Sequence, residues 1–366
     1  MNALKVTTIL TALCASSAQY SAAQATQKFT ANKASEYALV YSLPLTQFDI
    51  TIETEHTITT PGEFNNYAKR HLDIADAITK PQSTVVVKSI NITPRGVADP
   101  ANRWQVQFKS GTQASMLLTE AGVPLAINLD EVKPAPTPEL PKAVPAAESP
   151  LESDAARQAV TLEISRATSL SKKAELTAQR IFELREQRSE LISGNAENMP
   201  ADGGALKVAL ENLDAQEKAL TAMFAGVTQT FTEVSTVTFT PTANDSTGVV
   251  IARISPTEGI VGTNDLTGMP LYLDFKVTDR AKLPVNEKGE EKRFPKGGVA
   301  YTIPGSASIS LSFEGAKLGE QTYPVAQLGV TFGLDPSLFT DKKAPMFVEF
   351  SPVTGAVVRL DNITPQ

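Results

Sequence analysis

The chain offers few side chains that could carry acid–base or nucleophilic chemistry. It has only two histidines, His56 and His71. His56 lies in an alternating segment on the same face as Ile52, which favours a histidine at the edge of a core over a catalytic base. His71 follows Tyr67 by four residues in a short helical pattern, which is typical of a half-exposed surface position. Neither histidine is therefore expected to be catalytic.

A serine–lysine pattern is present at Ser169 and Lys172. Residues 193–195 and 109–111 fit the two other short elements of penicillin-binding-type hydrolases. In those enzymes the lysine-containing strand element follows the serine, whereas here it precedes the serine. Serine and lysine at this spacing are also ordinary on a helix. The sequence therefore argues against a serine hydrolase.

Two pairs of carboxylates could serve a glycosidase, which needs two acidic groups on either side of the scissile bond. Glu53 and Glu55 share one strand face, but that face is polar along its length. Glu290 and Glu291 lie in a charged segment that is typical of a hairpin tip. Glycan-binding sites use stacking aromatic rings, and Trp104 is the only tryptophan in a chain with 6% aromatic residues. A lectin-like site thus has little support in the sequence.

Other chemistries are excluded by composition and spacing. No His-x-x-x-His pattern or calcium-loop pattern occurs, so we expect no metal and no cofactor. Lys and Arg number 33 against 40 Asp and Glu, which gives a formal charge of -7. No basic cluster is present for phosphate binding, which excludes nucleic acid as a partner.

Residues 1–25 resemble a secretory signal peptide. Lys5 is followed by an apolar or small-residue core, and Ala23 and Ala25 fit the small-x-small cleavage rule, which predicts a mature start at Thr26. The apolar core is shorter than the roughly 20 residues of a membrane span. Cys14, the only cysteine, lies inside the signal. Thiol chemistry is therefore not expected in the mature chain.

The remaining sequence predicts an α+β fold in four parts. Residues 26–132 alternate as strands do, with one short helix, and form an N-terminal β-rich domain. Residues 133–152 form a proline-rich linker. Residues 153–226 predict a long antiparallel helical hairpin, with a first arm of roughly 40 residues and a second of roughly 22. Residues 227–366 predict a C-terminal antiparallel β-sandwich or barrel.

Several motifs resemble an uncharacterised family of exported Gram-negative proteins, known as domain of unknown function 4831. The resemblance rests on residues 41–48, 61–68, 181–194, 213–224, 298–305 and 350–355. Thr302 stands where the family has an arginine after the tyrosine of its Tyr-x-Ile-Pro-Gly motif. The resemblance implies export and a β–helical–β layout, and it implies no activity and no catalytic residues.

One modification site is predicted at Ser246. Asp245, Ser246 and Thr247 lie in a polar loop and fit the Asp-Ser/Thr-small pattern that some Gram-negative bacteria use for O-glycosylation of exported proteins. The alternative is an ordinary turn, and the sequence leaves both open.

These observations favour a non-enzymatic protein of the cell envelope, periplasmic or surface-associated, that acts as a scaffold or an interaction module. Its expected partner is another envelope protein or a glycan. If the first helical arm outreaches the second, an apolar strip should remain free for that partner. The alternative is a carboxylate-dependent hydrolase or glycan-active enzyme with a deep cleft. The sequence leaves the oligomeric state open.

Overall fold

The computed structural model describes residues 25–28, 38–107, 114–133, 139–340 and 345–363. Within these residues the chain forms thirteen strands and six helices. The strands are β1 Ala25–Lys28, β2 Leu39–Thr60, β3 Gln82–Gln107, β4 Met116–Leu118, β5 Pro124–Ile127, β6 Val227–Phe239, β7 Ser246–Ser255, β8 Gly259–Val261, β9 Met269–Asp279, β10 Val299–Phe313, β11 Ala316–Leu334, β12 Met346–Phe350 and β13 Val357–Asn362. The helices are α1 Ala68–Leu72, α2 Asp154–Ala159, α3 Leu162–Arg166, α4 Leu170–Ser193, α5 Gly203–Ala225 and α6 Ser337–Thr340.

The described strands form three antiparallel sheets, so the predicted α+β class is confirmed. Sheet 1 has the order β1-β3-β2-β6, sheet 2 the order β11-β10-β9-β7-β8, and sheet 3 the order β13-β12-β5-β4. None of the three is closed, and the barrel alternative is not found in the part of the chain that the structure describes. The predicted short helix is confirmed as α1, which follows a 3-10 turn at Asn65–Tyr67.

Strand β2 joins the two β-rich regions of the chain. It pairs with β3 on one side and with β6 on the other, from Phe48 opposite Phe239 to Thr60 opposite Val227. In sheet 3, Val348 of β12 pairs with Ile127 of β5. Residues 26–132 and residues 227–366 therefore share sheets 1 and 3, rather than forming two β domains that the linker and the hairpin hold apart.

The core follows from the alternation along β2. Phe48, Ile50 and Ile52 point to one face and are fully buried. They pack with apolar residues of sheet 2, among them Leu273 and Ile309, in one cluster. Burial of each such side chain stabilises the fold by about 1.5–3 kcal/mol. The strict alternation seen in the sequence is thus the pattern of a strand with one face in a core.

Two polar contacts fix the N-terminal β region to the C-terminal one. The Tyr41 hydroxyl accepts a hydrogen bond from the Ala300 backbone N–H at 2.9 Å and donates to the Ala300 carbonyl at 3.2 Å. The Thr46 hydroxyl donates to the Val353 carbonyl at 3.1 Å and accepts from the Ala326 N–H at 3.0 Å. The motifs around residues 41–46, 298–305 and 350–355 therefore meet in space.

The first helical arm is three helices rather than one. Val160 and Ala167 are extended and interrupt it. The hydroxyls of Thr161 and Ser169 then accept hydrogen bonds from the backbone at the starts of α3 and α4, at 3.3 and 3.2 Å. Such N-caps compete with helix continuation, which a periodicity argument does not weigh. The prediction of one continuous first arm of roughly 40 residues is wrong, because its longest helix, α4, has 24 residues, close to the 23 of α5.

The proline-rich segment lies against sheet 1. Its described part, residues 139–150, is called the strap below. The Thr232 N–H donates to the Val144 carbonyl at 3.0 Å, and the Gln229 side-chain amide donates to the Ala147 carbonyl at 2.7 Å. The strap therefore contacts β6 at these two positions, and its prolines keep it from forming a full ladder. Among the described helices, none is both long and apolar enough to cross a membrane.

Replacing Gly96 with alanine tests the contact between β3 and the 350–355 loop. A Cβ at Gly96 would lie 1.9 Å from the Pro352 carbonyl oxygen, so either the strand or the loop must shift. We expect the free energy of unfolding to fall by about 1–3 kcal/mol. Gly319→Ala is the control, because a Cβ there meets nothing within 4 Å. Equal stability of the two variants in urea unfolding would contradict the contact.

Candidate functional site

An open groove of about 670 Å³ lies beside the hairpin that connects β9 to β10. It is called the aromatic groove, and its lining combines ring faces with charged and amide side chains. The lining residues are Asn286, Glu290, Glu291, Lys292, Arg293, Pro295, Tyr301, Phe332, Gly333, Leu334 and Asp335.

Four aromatic rings stand in a row, and two of them, Tyr301 and Phe332, line this groove. The Tyr301 ring meets the Phe332 ring edge-on, with centroids 6.4 Å apart. Phe332 in turn meets Phe294 edge-on at 6.3 Å. Phe294 stacks on Trp104 with centroids 5.6 Å apart and planes within 6°. Offset stacking and edge contacts are the favoured arrangements of aromatic pairs. The row therefore continues from the groove lining, through Phe294, to Trp104.

Local sequence explains how β10 and β11 present these rings. Tyr301 pairs with Phe332 across the two strands, so both side chains lie on one face. Gly333 follows, and a Cβ there would lie 2.8 Å from the Phe294 ring. The absence of a side chain at Gly333 thus leaves the space that Phe294 fills. Partial burial raises the pKa of the Tyr301 hydroxyl above its ordinary value.

Hydrogen-bonding groups face the ring row from the hairpin. Asn286 holds the turn, since its side chain accepts from the Lys288 and Glu290 N–H groups at 2.9 Å. Glu291 bridges back to Val285, which confirms the predicted hairpin tip. At the other end, the Ser337 hydroxyl and N–H donate to Asp335 and hold the pKa of its carboxyl below the usual range. The groove therefore joins aromatic rings to the Asp335 carboxyl and to the polar groups of the hairpin.

The groove can be compared with two kinds of site, one for ligand binding and one for acid catalysis. Sites for small polar ligands combine aromatic walls with a few fixed polar groups. A general acid of a glycosidase needs a raised pKa. Among the lining carboxyls, the pKa of Asp335 is shifted in the opposite direction, by the hydrogen bonds from Ser337.

His56 lies where the sequence predicted, at the edge of the core. It is 4% exposed, and its ring stacks on Phe231 with centroids 4.7 Å apart. Its Nε2 atom lies 3.1 Å from Glu233 Oε2 and 3.3 Å from the Thr54 hydroxyl. A Cβ at Gly259 would collide with this ring. The histidine is thus packed from several directions, in agreement with a structural role.

The predicted surface pairs are also explained by local contacts. Glu53 accepts a hydrogen bond from Ser89 at 2.6 Å, and Glu55 accepts one from Lys88 at 3.1 Å. Both partners come from the neighbouring strand β3. His71 is half-buried, as predicted, and its ring centroid lies 6.2 Å from that of Tyr67 and 6.5 Å from that of Phe224.

The serine–lysine pattern is a helix start. Ser169 is the N-cap of α4, and its hydroxyl accepts from the Lys172 backbone N–H. The Lys172 ammonium donates to Glu175 at 2.9 Å instead of meeting the serine. Residues 109–111 of the third element lie outside the described residues, as does Cys14. The described members of the pattern are therefore capping and surface residues.

Ser246 is the first residue of β7 and is half-buried. It pairs with Phe275 of β9, while the Asp245 carboxylate accepts from the Val277 N–H at 2.7 Å. The predicted modification motif is thus anchored at the start of a strand, with Thr247 exposed beside it. No group of three or more possible metal ligands occurs among the residues that the structure describes.

Sequence reasoning missed the aromatic groove. Trp104 looked isolated, yet it stacks on a residue 190 positions later, since Phe294 follows the β9–β10 hairpin. The motif that ends in Tyr301 was the only local signal of the site. Strands that are distant in sequence pair and bring the four rings together. The spacing of residues along the chain does not predict which distant strands pair.

The fold and groove define a mixed α+β protein with three antiparallel sheets and a ligand-sized aromatic groove. The family described as "Domain of unknown function (DUF4831)" matches residues 37–358, and the chain belongs to this family. The resemblance found in the motifs is therefore confirmed. No curated protein matches the chain, and no solved structure matches it.

Because Trp104 is the only tryptophan, its fluorescence reports on the ring row. Phe294→Ala removes the ring that covers one face of Trp104, so we expect a red-shifted emission maximum and stronger quenching by acrylamide. Phe182→Ala, which removes an exposed phenyl ring on α4, should leave both unchanged. Unchanged emission in Phe294→Ala would contradict the stacking.

Proposed function

We propose that the protein is an exported, non-enzymatic interaction module of the cell envelope that binds a glycan in the aromatic groove. The observation that carries the proposal is the row of four rings beside a groove of about 670 Å³. Sugar rings present apolar C–H faces that pack on aromatic rings, and their hydroxyls need fixed hydrogen-bonding partners.

The polar lining supports a glycan over an apolar ligand. Glu290, Glu291 and Asp335 supply acceptors, while Lys292 and Arg293 supply donors. Acceptors and donors on one groove match hydroxyl groups, which act as both. An apolar ligand would leave these charges desolvated and unpaired, which costs free energy.

Two further parts of the proposal concern architecture. The pairing of Arg185 with Glu217 and of Arg188 with Asp214 supports an antiparallel hairpin of α4 and α5, since one number rises as the other falls. The shared core of sheets 1 and 2 supports a sandwich. The predicted signal peptide supports export, with a mature chain that begins at about Thr26 and a location in the periplasm or at the cell surface.

The alternative is a glycan-active hydrolase that uses groove carboxylates. Glu290 and Glu291 are the candidates, because they line the same groove as the rings. An enzyme would shorten an oligosaccharide during the titration described next, whereas a binding module would return it intact. Chromatography of the sugar after incubation separates the two functions.

Binding is measured through Trp104 fluorescence with soluble oligomers of N-acetylglucosamine and peptidoglycan-derived disaccharides as probes. We expect a saturable change, and about tenfold weaker binding by Tyr301→Ala, since loss of one stacking face costs on the order of 1.4 kcal/mol. Tyr301→Phe should retain most of the affinity. Tyr272→Ala is the control, because Tyr272 is an exposed tyrosine on β9, away from the groove lining.

Two results would contradict the glycan proposal. One is the lack of a saturable change with every probe. The other is equal affinity in Tyr301→Ala and the unchanged protein.

Modification of Ser246 is part of the same proposal and is tested separately. The intact mass of protein purified from its native envelope should exceed the mass of the unmodified mature chain by whole sugar units. Ser246→Ala should remove that excess, and Ser255→Ala on the same strand should not. A native mass equal to that of the bare chain would exclude the modification.

A further inference from the structure

A second cavity, of about 710 Å³, lies where the helices meet sheet 1. It is called the helix groove, and four segments line it: α4, α5, the start of β6 and the end of the strap. The lining residues are Ala147, Glu148, Pro150, Arg185, Arg188, Asp214, Glu217, Lys218, Thr221, Ala222, Ala225, Gly226, Val227, Thr228, Gln229 and Thr230.

One wall of the helix groove is an open strand edge. β6 is the last strand of sheet 1, and the Thr232 N–H points away from β2, since it donates to Val144 in the strap. Backbone direction alternates along a strand, so Thr228 and Thr230 point their N–H and C=O groups the same way. Among the described residues, no backbone group bonds these outward groups.

The strap covers this edge at one position and then leaves it. Val144 forms the single bridge, with Thr232. Three residues later the Ala147 carbonyl is bonded by the side chain of Gln229. The side chains of a strand project from the two faces of its sheet, and not from its edge. At Ala147 the strap therefore bonds a side chain and not the backbone edge of β6, and Thr228 and Thr230 line the groove.

The polar groups that α4 and α5 contribute to the helix groove differ in whether they have an ion-pair or hydrogen-bond partner. Arg185 pairs with Glu217, Nε to Oε1, at 2.6 Å, and Arg188 pairs with Asp214. Lys218 forms no ion pair with any part of the chain that the structure describes. The Thr221 hydroxyl oxygen is buried without a hydrogen-bond partner there. A buried hydroxyl in that state costs free energy unless a ligand or water completes it.

We infer that the helix groove binds an extended peptide, which adds to β6 as an antiparallel strand at Thr228 and Thr230 and places an acidic group near Lys218. The strap shows that this edge accepts an antiparallel segment, because Val144 already pairs with Thr232 in that manner. Strand addition uses main-chain hydrogen bonds for affinity and side-chain pockets for selectivity. At about 3.3 Å per residue, the open edge takes roughly four guest residues. This inference is independent of the glycan proposal.

Fluorescein-labelled pentapeptides test the inference by anisotropy with the full mature chain. The pool alternates Thr and Val and ends in Glu, and each peptide has a copy with N-methyl groups on the amides that would face β6. We expect saturable binding that weakens about tenfold on N-methylation, because the paired donors are lost. Failure of every peptide to bind, or equal binding of the N-methylated copies, would overturn the inference.

Variants locate the binding on the protein. Thr230→Pro removes an outward N–H without touching the β2 ladder, so it should weaken peptide binding about tenfold. Thr238→Pro is the matched control, on the same strand and outward-facing but outside the groove. Lys218→Gln should reduce affinity for the acidic peptides but not for copies that end in Gln. Equal affinity of Thr230→Pro and Thr238→Pro, both folded by circular dichroism, would also overturn the inference.

Discussion

The pairing of β2 on both of its edges is the constraint on which the rest of the structure depends. One strand of 22 residues carries β3 along one side and β6 along the other. Its Phe48, Ile50 and Ile52 are fully buried against sheet 2. Because the pairing joins residues about 180 positions apart in sequence, the chain closes on itself around the helical segment. Sheets 1 and 3 therefore take strands from both β-rich regions, whereas sheet 2 is formed by the C-terminal region alone.

Both grooves are consequences of this closure. β3 carries Trp104 to the ring of Phe294, which lies beyond the helices in sequence, and so completes the aromatic row. β6 becomes an edge strand because β2 occupies its other side, and the strap then covers part of that edge. Exposed strand edges are usually protected by cover of this kind. The edge at Thr228 and Thr230 lacks this cover, and it is the part of β6 to which we propose that a peptide binds.

The polar contacts divide into those that hold the fold and those that face solvent. The Tyr41 and Thr46 hydroxyls bond backbone groups of the C-terminal strands from buried positions, where an unmade bond would be costly. The ion pairs on α4 and α5 are partly exposed and contribute little to stability. The hydrogen bonds of Tyr41 and Thr46 therefore connect, in space, motifs that are far apart in sequence.

The sequence by itself determined the elements and the class of fold. Alternation in residues 48–58 marked a one-sided strand, apolar spacing marked the helices, and the family motifs identified the chain's relatives. These patterns are local, because the residues that share one face of a strand or a helix are close together in sequence. The breaks at Thr161 and Ser169 were missed because hydroxyl caps compete with periodicity. Strand order, the path of the strap and the meeting of Trp104 with Phe294 were decided only by tertiary structure, because which distant edges pair depends on the packing of the whole chain.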